Sequence, residues 1–222
     1  LAYEGNDGST ENGQYNTQAI PHGYISHQLT DNMWIGLAMT VPFGMGTEYD
    51  DNWPLAYKGI SAEVLTFDFN PNVAWKVSDK LSLGAGISIQ YASADLKMQD
   101  LISNEMPDLG TANGEVDADS IAWGFNVGLM WSPLDNLRFG LSYRSRINHN
   151  ADGDFTFSNP KGPGASHVPT DAFDATATIS TPAWAMATAA WDVNDLLSLY
   201  ATFRWTDWSS FDTLDIKSPA LE

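Results

Sequence analysis

Cysteine is absent from all 222 residues, which excludes both a disulfide framework and a thiolate metal site. Basic residues are scarce: ten Lys and Arg stand against 28 Asp and Glu, for a formal charge of −18. A nucleic-acid partner is therefore excluded, because a phosphate backbone needs clustered cations to replace its counterions. No stretch approaches the roughly 18 consecutive apolar residues of a membrane helix. His22, His27, His149 and His167 are scattered without metal-ligand spacing, and no motif joins Ser26, His27 or Ser145 into a nucleophile–base pair. No catalytic residue, metal or cofactor is expected. Asn150–Asp154 has some character of a calcium loop but lacks the closing Glu; it reads as a turn in which Gly153 supplies a left-handed conformation. Leu1–Gln18 carry no signal-peptide pattern and Ser218–Glu222 no terminal strand. The chain is expected to be an internal piece of one domain, 1–222.

What is present is alternation. Met33, Ile35, Leu37, Met39 and Val41 alternate with Trp34, Gly36, Ala38 and Thr40. The same period of two runs through 65–76, 81–91, 121–131, 137–144 and 197–205, with weaker segments near 18–28 and 172–191. Successive side chains of a strand point to opposite faces, so each segment has one large apolar face and one small or polar face. About eight strands result, one of them changing face near Pro182.

Connections alternate as well. Short turns at 29–32, 77–80, 133–136 and 192–195 exchange with long polar loops at about 43–58, 98–118 and 153–171. Trp34, Trp75, Trp131 and Trp191 lie beside the short turns, as an interfacial girdle would. A soluble sandwich alternates too. Its strands, however, run to about five or six residues, and its outer faces are not built from Gly, Ser and Ala. Segments of about 9–11 residues suit a tilted strand crossing a bilayer. The expected fold is all-β, an antiparallel transmembrane barrel.

The segment Gly36–Trp53, with Pro42-Phe-Gly-Met-Gly-Thr-Glu-Tyr49 at its centre, resembles the outer-membrane long-chain fatty-acid transporter (FadL) family, which includes aromatic-hydrocarbon channels. The likeness continues through Leu65-Thr-Phe-Asp-Phe-Asn-Pro-Asn-Val-Ala-Trp-Lys-Val77 and Leu81–Tyr91. It resumes at Gly124-Phe-Asn-Val-Gly-Leu-Met-Trp131 and Leu141-Ser-Tyr-Arg-Ser-Arg146, and ends at Thr202–Phe211. The resemblance implies a monomeric barrel of about fourteen strands in the bacterial outer membrane. This chain would supply about eight of them, and the plugging hatch and the C-terminal strands would lie elsewhere. It implies passive uptake of fatty acids or other apolar molecules, beside outer-membrane lipids and lipopolysaccharide. Cargo would pass from a loop groove to an internal pocket and leave sideways at a kinked strand. The alternatives are an aromatic-hydrocarbon channel and a structural or adhesive barrel.

Matched to this sequence, the kink falls at Val41, Pro42, Phe43 and Gly44. Pro42 cannot donate a ladder hydrogen bond, and Gly44 relaxes the backbone. The groove loops correspond to 98–118 and 153–171. Met98, Leu101, Ile102, Met106 and Leu109 have near-helical spacing there, so short apolar helices could hold an alkyl chain or pack on the rim. For a carboxylate, Lys97, Arg144 and Arg146 are the candidate cations; Arg144 and Arg146 should share a lumenal face. The same cations could instead pair with Asp68, Glu63 or Asp174. The family's basic pocket position carries Met98 here, a departure that points toward neutral hydrocarbons.

Overall fold

The computed structural model describes residues 2–4, 10–12, 19–51, 53–101, 110–169, 171–210 and 215–217. Short strands β1 (Ala2–Glu4) and β2 (Thr10–Asn12) pair with each other. All later strands join one antiparallel sheet: β3 (Gly23–Thr30), β4 (Met33–Thr40), β5 (Gly44–Glu48), β6 (Ser61–Ser78), β7 (Leu81–Leu101), β8 (Thr111–Leu134), β9 (Leu137–Arg144), β10 (Ile147–Lys161), β11 (Phe173–Thr181), β12 (Trp184–Asn194), β13 (Leu197–Thr206) and β14 (Asp215–Lys217). Across the sheet the order is β13-β12-β9-β8-β7-β6-β4-β3. β10 continues β9 upward on β8, and β5 continues β4 upward on β6. The sheet is a curved wall whose outermost strands, β3 and β13, are not paired to each other: an incomplete barrel.

Local chemistry fixes the lower rim. The tight turns sit at Asp31-Asn32, Asp79-Lys80, Asp135-Asn136 and Asp195-Leu196. Short polar side chains bond there to backbone two residues away, as Asn194 Oδ1 accepts from Leu196 N–H and Ser78 Oγ from Lys80 N–H. These bonds let each strand reverse at once and set its register.

Alternation then sorts the faces. On β6, Val64, Thr66, Asp68 and Asn70 are buried while Phe69, Val73 and Trp75 are exposed. On β7 and β8 the exposed set includes Leu83, Ile87, Tyr91, Ile121, Trp123, Phe125 and Val127. Such a continuous apolar outer belt is placed against lipid, where every backbone group must be paired within the wall. Trp75, Trp131 and Trp191 stand in its lower margin on the outside. Trp34 does not: it lies opposite Ala74 on the inner face and is half-buried. One residue's shift in sequence moves a side chain through the wall.

The strands are longer than the periodic segments suggest. β7 runs on to Leu101 and β8 begins at Thr111, so most of the expected loop 98–118 is a tall hairpin. Met98 and Leu101 therefore lie on a strand, not a helix. Ile102, Met106 and Leu109 lie outside the described residues. The 43–58 and 153–171 loops likewise give way in part to strand, at Gly44–Glu48 and up to Lys161, and hold single turns at Ala56–Lys58 and Ala165–His167. Asn150–Asp154 is no turn either, since it runs through the middle of β10. Gly153 is needed for space: a Cβ there would overlap the carbonyl oxygen of Asp117 and press on the Ala118 Cα. Composition misleads above the membrane, because the buried inner face of the tall hairpins is built largely from small residues, Ala94, Val116, Ala118, Ala151, Ala175 and Ala177, and acids stand between them.

Candidate functional site

Two places interrupt the wall, and a buried polar chain lies between them. The first interruption is at 41–43. β4 pairs with β6 as far as Thr40 opposite Asp68, and β5 resumes at Gly44 opposite Leu65. Three residues thus face two, and the strand bulges. Thr66 closes the defect from across the wall. Its backbone N–H donates to the Phe43 carbonyl at 2.9 Å, while its hydroxyl oxygen accepts from the Phe43 N–H at 3.0 Å. Val41 is buried at 9% exposure. Above the bulge β5 bonds only to β6 among the described residues. Phe43 packs edge-on against Trp208, which follows β13, with ring centroids 6.1 Å apart.

The second interruption was not legible as such. β9 ends at Arg144 and β10 begins at Ile147; beside them β11 ends at Thr181 and β12 begins at Trp184. The alternation slips by one at Ser145-Arg146. Below it Ser142 and Arg144 face inward, and above it Ile147, His149 and Ala151 do, at 1%, 0% and 3% exposure. Arg144 and Arg146 therefore do not share a face. Arg146 meets Asp207 at 2.6 Å near the outer surface, and the Ser209 hydroxyl donates to the other oxygen of that carboxylate. Pro182, which carries no N–H, bends the partner strand at the same level.

Inside the wall the polar groups form one directional chain. Arg144 Nη1 lies 3.2 Å from Asp68 Oδ2, and Asp68 is fully buried. Gln90 Nε2 donates to the same oxygen at 3.4 Å. Gln90 Oε1 accepts from the Thr181 hydroxyl at 3.1 Å and lies 2.9 Å from His149 Nε2. A proton on Nε2 leaves Nδ1 to accept from the Ser120 hydroxyl at 2.8 Å. Asn70, Asn72 and Asn126 extend the network below, where Asn70 donates to Asn126. In a low-dielectric interior such a chain holds only when its members are satisfied. It is nearly so; Asp68 Oδ1, Arg144 Nε and Ser142 Oγ remain without partners. His149 carried no sequence signal beyond being a histidine, because its partners lie 29 and 59 positions away.

Above the membrane belt the rim is acidic and its one candidate cation is occupied. Lys97 Nζ sits 3.3 Å from both Asp51 and Glu115. Burial works against its ammonium, but these two carboxylates outweigh it and hold the pKa above the ordinary value. Ladder register sets Glu63, Asp95, Asp117, Asp154 and Asp174 in one row across five strands. Glu63 and Asp174, weighed from sequence as partners for Arg144 and Arg146, are thus on the exposed outer face. Among the described residues no group of His, Asp or Glu could hold a metal ion.

An apolar hollow of about 570 Å³ lies outside the lumen. It lies on the lipid-facing wall, where Ala185 and Ala187 leave a furrow between Leu141, Tyr143 and Phe203.

An incomplete antiparallel barrel with an apolar belt outside and a hydrogen-bonded polar interior defines an integral outer-membrane protein. The family model described as outer membrane protein transport protein (OMPP1/FadL/TodX) matches residues 3–221. The chain belongs to that family and to the outer membrane. It is 24% identical to the long-chain fatty acid transport protein of Salmonella typhi, over 92% of this chain and 52% of that protein. It is 25% identical to outer membrane protein P1 of Haemophilus influenzae, over 88% and 47%. A Pseudomonas aeruginosa FadL homologue of known structure superposes with a TM-score of 0.80 at 27% identity, over 90% of this chain and 51% of that one. The Ralstonia pickettii toluene transporter TbuX shares the fold, with a TM-score of 0.68 at 20% identity over 88% and 57%. The chain spans about half the length of the curated relatives it matches.

Proposed function

We propose that the protein carries hydrophobic compounds passively across the outer membrane, and that cargo leaves the barrel sideways at Val41–Gly44. The observation that supports this reading is the bulge itself. Three residues face two, Pro42 offers no donor, and β5 above has a single bonded neighbour among the described residues. An exit into lipid needs a wall whose backbone is satisfied locally at its margin, and the Thr66 hydroxyl does that for Phe43. Met98, on the inner-facing register of β7, and the segment around Leu101, Ile102 and Met106 remain the candidates for the entry groove.

Within this reading, uncharged cargo is favoured over carboxylates. Arg144 is already neutralised by Asp68, Lys97 by Asp51 and Glu115, and Arg146 by Asp207. A fatty-acid headgroup would have to displace a resident carboxylate; at Arg144 that is the fully buried Asp68, and breaking a buried pair costs roughly 3–5 kcal/mol. Long-chain fatty acids are the competing cargo, since the Salmonella typhi relative is named for them. The test is uptake of radiolabelled toluene and oleate by cells expressing the full-length protein, with and without Val41–Gly44 replaced by a regular strand sequence. Toluene uptake that is faster than oleate uptake and that the replacement lowers severalfold is the expected result. Unchanged uptake in the replacement would sink the lateral exit, and preferential oleate uptake would sink the neutral cargo.

A further inference from the structure

The second interruption has the same construction as the first. β8 pairs with β9 up to Asn126 opposite Arg144, and with β10 from Asp119 opposite Asp152; the ladder is missing from Ser120 to Phe125. At its lower margin Ser145 N–H donates to the Phe125 carbonyl at 2.9 Å. The return bond runs from the Phe125 N–H to the Ser145 hydroxyl, also 2.9 Å, in place of a backbone carbonyl. Thr66 plays this part for Phe43 at the first interruption. In both cases a hydroxyl satisfies the N–H that a departing strand would otherwise strand in lipid.

This second break lies within the apolar belt, not above it. Ile121, Trp123 and Phe125 stand outside at 67%, 65% and 51% exposure. The strand that should cover their edge has moved inward, and two side chains fill what it left. Ile147 occupies the space over Gly124, where a Cβ would lie 2.6 Å from Ile147 Cγ1. Behind it His149 of β10 reaches across the break to Ser120 of β8 and to Gln90 of β7 beyond it. The hole is closed by side chains, which rotate on far shorter timescales than a backbone ladder opens.

We propose that the Ser120–Phe125 break is a second lateral window in the barrel wall, for small uncharged apolar molecules exchanging between outer-leaflet lipid and the lumen. Ile147 is its stopper and the Ser120–His149–Gln90 chain its catch. The proposal rests on the transport reading but not on the exit at Val41–Gly44. Two windows at one wall would let the protein take apolar cargo out of the membrane as well as deliver it.

These 222 residues contain no cysteine; with any cysteine elsewhere in the full-length protein replaced by serine, the window can be locked selectively. A Cβ at position 124 would be no more than roughly 4 Å from that of Ile147, the spacing of a disulfide's Cβ atoms at about 3.5–4.5 Å. The double variant Gly124→Cys with Ile147→Cys is placed in the full-length protein whose Val41–Gly44 segment has been made a regular strand. Radiolabelled toluene uptake is then followed before and after reduction, with heat-modifiable gel migration reporting that the barrel is folded. Reduction is expected to raise uptake severalfold. Ile147→Ala in the same background, which needs no disulfide, is expected to do likewise. Uptake that stays at the background level in both folded variants overturns the window. Failure of the unaltered protein to take up toluene or oleate at all would instead overturn the transport reading beneath it.

Discussion

Thr66 Oγ1 lies 3.0 Å from both the N–H and the carbonyl oxygen of Phe43, on the far side of a strand break. Thr66 is fully buried, so no water can take over that role. The break therefore depends on one hydroxyl. Thr66→Val keeps the shape and leaves the Phe43 N–H unpaired, which should cost about 1–3 kcal/mol. Thr66→Ser should cost much less. Urea unfolding of the detergent-solubilised full-length protein would measure both, and equal midpoints for Val and Ser would refute the assignment.

The Asp68–Arg144 pair makes a sharper demand. Arg144→Met strands a buried carboxylate and is expected to destabilise by roughly 3–5 kcal/mol. Adding Asp68→Asn should recover most of that loss, because the uncompensated charge disappears with it. A double-mutant cycle by urea titration checks this. Additive losses would mean the pair is not coupled.

Asp95 and Asp117 face each other in the β7–β8 ladder above the apolar belt. Burial, a hydrogen bond to Asp117 and the charges of Asp117 and Glu63 push the Asp95 carboxyl up to about 6 from 3.8. Folding thus favours its protonated form. The stability this contributes is fully present below about pH 4 and is lost as pH rises through about 6. Asp95→Asn should match the unaltered protein at about pH 4 and exceed it at about pH 8. The gain should stay within about 1 kcal/mol, since Asp95 is exposed and screened. Melting curves at the two pH values decide; a loss at the higher value would contradict it.

Gly153→Ala tests the strand reading of Asn150–Asp154. A left-handed turn would be strained by alanine, but so would the close approach of Asp117, and the two differ in their rescue. If the crowding by the neighbouring carbonyl is the cause, the substitution should part β10 from β8. Amide exchange should then rise at Val116–Asp119 as well as at 152–154. Exchange confined to 150–154 would favour the turn.

Much of the wall was legible before any coordinates. The alternation at 33–40, 65–76, 81–91, 121–131 and 197–205 falls on strands, and Asp-Asn and Asp-Lys mark three of the turns. A belt that must meet lipid leaves one apolar side chain at every second position, and that pattern is local. The upper hairpins alternate as well, but in small and acidic residues: Ala92, Ala94 and Leu96 with Ser93, Asp95 and Lys97 on β7, and Gly114, Val116 and Ala118 with Glu115, Asp117 and Asp119 on β8. Without large lipid-facing side chains they read as loop.

The site divides along the same line. Pro42 marks the bulge only with the family resemblance beside it, because a missing N–H fits a strand end entering a loop equally well. Nothing local distinguishes Thr66 from other threonines, Ser145 from other serines or His149 from the three other histidines. Arg144 and Arg146 look equivalent two residues apart, yet a one-residue slip sends one to Asp68 and the other to Asp207. The sequence by itself determined an antiparallel outer-membrane wall and its turns. Only the tertiary structure decided which polar groups meet inside it and where the ladder parts. Lipid contact acts on each side chain separately, whereas hydrogen-bond partners are chosen by register between strands far apart in the chain.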